Sequence, residues 1–125
     1  MAKKHILIVD DDPLMARMYE NKMQTDGYDV AVASNGEEAL LAVRKKKPDL
    51  MLLDVMMPKM NGVETLKALK GDAKTKNIPI IILTNLGDNP DDIQKAKDLG
   101  ALDYLVKSQI SLKELSDRVK KELGN

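Results

Sequence analysis

The chain has 125 residues, and its 20 Lys and Arg balance 20 Asp and Glu to a net charge of zero. That length holds one domain, and the balance argues against a protein whose main task is to grip nucleic-acid phosphates. Cysteine, Trp and Phe are absent, which excludes disulfides, thiolate catalysis and Cys-ligated metals, and leaves no aromatic stacking platform.

Five short apolar runs recur along the chain: His5–Asp10, Tyr28–Ala33, Asp49–Asp54, Ile78–Thr84 and Leu102–Val106. Nearly continuous Ile, Leu, Val and Met in His5–Asp10, Asp49–Asp54 and Ile78–Thr84 predicts central strands covered on both faces. The alternation in Tyr28–Ala33 suits an edge strand. Between the runs lie helical patterns. Leu14, Met15, Met18, Tyr19 and Met23 make a stripe in the first, and Leu112, Leu115, Val119 and Leu123 in the last. Asp12-Pro13 reads as an N-cap with Pro at the first helical position. Ser111 with Glu114 is a capping box, and Asn35/Glu38 and Asn61/Glu64 are looser relatives. Asn89-Pro90-Asp91-Asp92 opens the fourth helix with acids in its first turn. Gly27, Gly71, Gly100 and Gly124 are expected to end helices in the left-handed conformation. Five strand–helix units predict an α/β fold: a parallel sheet with helices on both faces and right-handed crossovers. No run is long enough for a secretory signal or a membrane span, so a cytoplasmic location is expected.

Parallel α/β sheets bind ligands beyond the carboxyl ends of their strands. There the first strand delivers Asp10, Asp11 and Asp12, the third Asp54, the fourth Thr84 and the fifth Lys107. Crowded carboxylates repel one another. A divalent cation relieves that repulsion, and hard oxygen ligands suit Mg²⁺. Mg²⁺ on so few carboxylates implies a phosphoryl oxygen as a further ligand, with Thr84 and Lys107 as donors to the same group.

Four segments carry a family resemblance: ILIVDDDP at residues 6–13, LDVMMPKMNG at 53–62, IILT at 81–84 and GALDYLVK at 100–107. In this order the chain resembles the receiver domains of bacterial response regulators over essentially its whole length. The resemblance implies a flavodoxin-like (βα)5 sandwich with strand order 2-1-3-4-5, and a stand-alone receiver over residues 1–125 with no output domain. It implies that Asp54 accepts a phosphoryl group from a sensor histidine kinase or a histidine phosphotransfer protein. Asp11, Asp54 and the backbone carbonyl of Met56 would ligate Mg²⁺ (or Mn²⁺), with Asp10 acting mainly through water. Lys107 and Thr84 would contact phosphoryl oxygens. Thr84 and Tyr104 would form the switch that repacks the face of the fourth helix, fifth strand and fifth helix toward a downstream protein. The product is a signalling switch, with no enzyme activity beyond self-phosphorylation and self-dephosphorylation. Expected partners include neither nucleic acid nor membrane, and the chain acts as a monomer or a phosphorylation-linked homodimer. Lys95, Lys97, Lys113, Asp117 and Lys120 are either dimer-pairing charges or plain solvated surface.

Some residues depart from the family pattern. Ser108 follows Lys107 where Pro is usual, so a trans bond and an altered loop are expected. Asn85 stands where a small residue is common. Met56 and Leu86 flank the path of the hydrolytic water in the family, and neither can hold water by hydrogen bonding, which predicts slow self-dephosphorylation. Two other readings remain. Asp10-x-Asp12 after an apolar strand resembles the nucleophile motif of haloacid-dehalogenase-type phosphatases, and a receiver-like scaffold could bind partners without phosphorylation. His5 is expected to be neither ligand nor base. Lys45, Lys46 and Lys47 are expected to form a solvated face at a helix C-terminus. Of Met56, Met57 and Met60, one or two are expected to be packed.

Overall fold

Five parallel strands form one sheet in the order β2-β1-β3-β4-β5: β1 His5–Val9, β2 Asp29–Ala33, β3 Leu50–Leu53, β4 Ile80–Thr84 and β5 Asp103–Val106. The computed structural model describes residues 3–57, 60–85, 87 and 89–124. The helices are α1 Pro13–Thr25, α2 Gly36–Lys45, α3 Gly62–Lys70, α4 Pro90–Asp98 and α5 Leu112–Leu123. A short 3-10 helix, Lys107–Gln109, joins β5 to α5.

Successive side chains of a strand point to opposite faces, and this is why the central runs are apolar throughout. Leu7, Val9, Met51, Leu53, Ile80 and Ile82 face α2, α3 and α4, where Ala39, Val43, Leu66, Leu69 and Ala96 meet them. Ile6, Ile8, Leu50, Leu52, Ile81 and Leu83 face α1 and α5, where Tyr19, Met23, Leu115 and Val119 complete a second core. Each fully buried aliphatic side chain contributes about 1.5–3 kcal/mol relative to exposure. β2 is an edge strand, as its alternation predicts, and Val32 on it is exposed.

Several expectations are corrected. β4 begins at Ile80, after Pro79, which has no N–H for a ladder. Leu14 and Met18 do not join the core: Leu14 is 80% exposed. The buried stripe of α1 runs through Ala16, Tyr19 and Met23, and Leu14 and Met18, four apart, form a separate line turned away from it. Gly27, Gly100 and Gly124 have positive φ, but Gly71 caps α3 in the right-handed region at φ −85. Asn61 and Glu64 make a full capping box, as do Ser111 and Glu114. At α2, Asn35 accepts from Glu38 N, but Glu38 reaches back to Ser34 N.

Candidate functional site

Parallel pairing brings the carboxyl ends of β1, β3, β4 and β5 to one edge. Asp10 follows β1, Asp54 follows β3, Thr84 ends β4 and Lys107 follows β5. All four are buried. Lys107 Nζ donates to Asp10 Oδ2 at 2.5 Å and to Asp54 Oδ2 at 3.0 Å. Thr84 Oγ1 donates to Asp54 Oδ1 at 2.8 Å. The Met56 N–H donates to the same Asp54 oxygen at 3.0 Å, and the Asp12 N–H donates to Asp10 Oδ1 at 3.0 Å.

Burial raises the Asp10 pKa above the ordinary carboxylate range, outweighing the hydrogen bonds from Lys107 and the Asp12 N–H. Burial alone would push Lys107 down, but hydrogen bonds to Asp10 and Asp54 raise it. The two shifts differ in origin: burial prevails at Asp10, whereas the hydrogen bonds to Asp10 and Asp54 prevail over burial at Lys107.

Asp11 is exposed, yet one of its carboxylate oxygens and one from each of Asp10 and Asp54 lie within 4.8 Å of one another. Three hard anionic oxygens at that spacing fit a small divalent cation. Asp12 is the N-cap of α1, accepting from Leu14 N and Met15 N. Tyr104 is buried on β5, on the same sheet face as Ile82 and Val106. Met56 is 56% exposed, whereas Met57 is packed in the core. Asn85 is exposed. Ser108 lies in the 3-10 helix with no cis bond among the described residues, and Lys107 still reaches both carboxylates. Leu86 lies outside the described residues. His5 sits at the opposite end of the sheet, with Nδ1 2.8 Å from Asp29 Oδ2.

The residue reading missed the two backbone donors. In both, the N–H two residues on donates to the carboxylate, the turn habit of Asp, and the Asp10-x-Asp12 and Asp54-x-Met56 spacings contain that signal. It also missed Lys107 as a bridge between two carboxylates.

Doubly wound sheets bind ligands beyond the carboxyl ends of their strands, where this chain gathers its acids, a hydroxyl and an ammonium. The family model for the response regulator receiver domain matches residues 6–120. The chain belongs to that family: it is a receiver domain of two-component signalling, a class of switches that are generally not enzymes. It is 46% identical over 121 residues to the probable transcriptional regulator ycf27 of Pyropia yezoensis, covering 97% of this chain and 48% of that protein. It is 40% identical to the DNA-binding response regulator MtrA of Mycolicibacterium smegmatis, covering 97% of this chain and 51% of MtrA. The chain thus spans about half the length of the curated relatives it matches. The crystal structure of chemotaxis protein CheY4 of Vibrio cholerae superposes with a TM-score of 0.89 at 33% identity, covering 96% of this chain and 98% of that one. The flavodoxin-like strand order expected from the resemblance is the one found. The name of MtrA runs against the expectation that no nucleic acid takes part. No helix among the described residues is long and apolar enough to cross a membrane.

Proposed function

We propose that this domain accepts a phosphoryl group on Asp54 from a phosphohistidine of a sensor histidine kinase or histidine phosphotransfer protein. The observation that carries this reading is the Asp54 carboxylate, 5% exposed, with Lys107 on one oxygen and Thr84 and the Met56 N–H on the other. In the transfer, an Asp54 oxygen attacks phosphorus. The P–N bond breaks, its electron pair goes to the imidazole nitrogen, and an acyl phosphate forms. The donors now spent on the carboxylate then serve the phosphoryl oxygens, where charge spreads in the transition state. Asp11, Asp54 and the Met56 carbonyl would hold Mg²⁺ or Mn²⁺, with Asp10 acting through water; the bound cation supplies positive charge against the phosphoryl oxygens.

The switch follows from the same bonds. Thr84 pairs with Val106 and Ile82 with Tyr104 across β4 and β5, so Tyr104 is the diagonal neighbour of Thr84 on one face. Drawing the Thr84 hydroxyl toward a phosphoryl group frees space on that face for Tyr104. Ile93, Leu105 and Ile110 line an adjoining cleft of about 340 Å³ that such a movement would reshape for a protein partner. Carrying a two-state equilibrium from 1:99 to 99:1 takes about 5.5 kcal/mol. The exposed Leu14 and Met56 beside the acids are apolar contacts for the phosphodonor. With balanced charges, we infer a receiver that works through protein surfaces, as monomer or phosphorylation-linked dimer.

Beryllofluoride, a phosphoryl mimic, tests the reading. With Mg²⁺ it should shift amide resonances around Asp54, Thr84, Lys107 and Tyr104, and Asp54→Asn should abolish those shifts. Shifts that need no Mg²⁺, or that survive in Asp54→Asn, would count against it.

A further inference from the structure

A second cleft, of about 510 Å³, opens between the C-terminal halves of α2 and α3 and the turn at 72–75. In a parallel βα fold helix C-termini lie at the amino ends of the strands, so this cleft is at the end of the molecule opposite Asp54. Its floor is apolar: Val43 and Leu69 are buried and Leu40 is partly so. Its rim carries Arg44, Lys47 and Lys74, all exposed. None of the three makes an ion pair among the described residues, although the adjacent Lys46 is held 2.6 Å from Asp29. The rim's acid, Asp72, accepts from the Lys74 N–H at 2.9 Å.

The walls are already set. Thr75 Oγ1 donates to Leu69 O at 2.6 Å, and Lys70 Nζ donates to Lys76 O at 2.9 Å and to Ile78 O at 2.8 Å. These bonds pin the 72–78 turn against α3, so little ordering remains to be done on binding. The volume lies within the roughly 300–1,000 Å³ of small binding pockets.

We propose that this cleft binds an acidic peptide segment of a partner protein, with an aliphatic side chain on the Val43–Leu69 floor and carboxylates against Arg44, Lys47 and Lys74. Charge complementarity selects this occupant: three unpaired cations surround an apolar floor. Nucleic acid fits less well, because the floor offers no aromatic face on which a base could stack. The site adds a contact surface remote from both the acids and Tyr104, so it can engage a partner in either signalling state.

A dye-labelled Asp-Leu-Glu-Glu-Leu-Asp peptide, titrated into the full ¹⁵N-labelled chain at low salt, tests this. Amide shifts should centre on Leu40, Val43, Leu69 and Thr75. Arg44→Glu with Lys47→Glu should weaken binding at least about tenfold, with added salt acting in the same direction. Lys113→Glu on the far face should leave it unchanged. The proposal is overturned if no shifts appear, if they centre elsewhere, if Asn-Leu-Gln-Gln-Leu-Asn binds equally well, or if duplex DNA displaces the peptide. The readout needs no phosphorylation, so its failure leaves the Asp54 reading intact.

Discussion

Asp10 is buried at a cost in stability. Its pKa is raised in the folded chain, chiefly by burial, so the folded state holds that proton longer than the unfolded state. Stability from this group therefore falls as pH rises above about 4, and the cost persists at neutral pH. Asp10→Asn should raise the urea midpoint of the metal-free protein at pH 7. It should also shrink the stabilisation by Mg²⁺, which for one site is about 2.7 kcal/mol at about 100 times the Kd. A lower midpoint for the variant would show that the Lys107 bond outweighs the burial. Tyr28 gives a second test, at a neutral group. Its hydroxyl is buried and finds no hydrogen-bond partner among the described residues. Tyr28→Phe should therefore be neutral or stabilising by about 1 kcal/mol in urea unfolding. At this scale the sequence indicated that Asp10, Asp54, Thr84 and Lys107 come together, because each stands at a strand end. It could not show that Lys107 bridges two carboxylates, since that depends on the distance between β1, β3 and β5 rather than on spacing along the chain.

At the scale of elements, the first residue of α3 closely approaches the backbone of Asp54 and Val55. A Cβ on Gly62 would lie 2.3 Å from Asp54 O and 2.5 Å from Val55 Cα, backbone atoms that cannot swing away. Gly62→Ala should cost about 1–3 kcal/mol, read by urea unfolding, and should displace Asp54. α1 and α5 are joined by Ser116 Oγ, which donates to Asp26 Oδ2 at 2.6 Å. Burial alone would raise the Asp26 pKa, but hydrogen bonds from Ser116 and Lys22 outweigh it and lower the value. The link therefore contributes above about pH 4, where Asp is ionised in the unfolded chain, and is lost as pH falls further through the lower folded value. Ser116→Ala should cost about 1.5 kcal/mol at pH 7 and less below pH 4, with unfolding curves at both pH values as the check. Strands and caps were readable because runs such as ILIV and pairs such as Ser111/Glu114 act locally. The Asp26–Ser116 link joins residues 90 apart and left no local sign. The α1 stripe misled for a related reason. Five apolar residues offered two lines, and only packing against β1 and α5 chose Tyr19 and Met23 over Leu14 and Met18.

Across the whole molecule, a net charge of zero conceals a separation. Carboxylates gather at the carboxyl ends of the strands around Lys107, while Arg44, Lys47 and Lys74 rim a cleft at the other end. The topology produces this arrangement, since right-handed βα units put strand C-termini and helix C-termini at opposite ends. The acidic end was legible from sequence because its residues follow strands directly. The basic end was legible only in part: Lys45, Lys46 and Lys47 are exposed, as the solvated reading expects, but the Lys46–Asp29 pair and the place of Lys47 at the cleft depend on tertiary contacts. The most direct test of the account is phosphorylation itself. Incubated with a phosphorylated histidine phosphotransfer protein and Mg²⁺, the chain should gain one phosphoryl group by intact mass, mapped to Asp54, and Asp54→Asn should gain none. Label on Asp10 instead of Asp54, or transfer undiminished by chelating the metal, would contradict it.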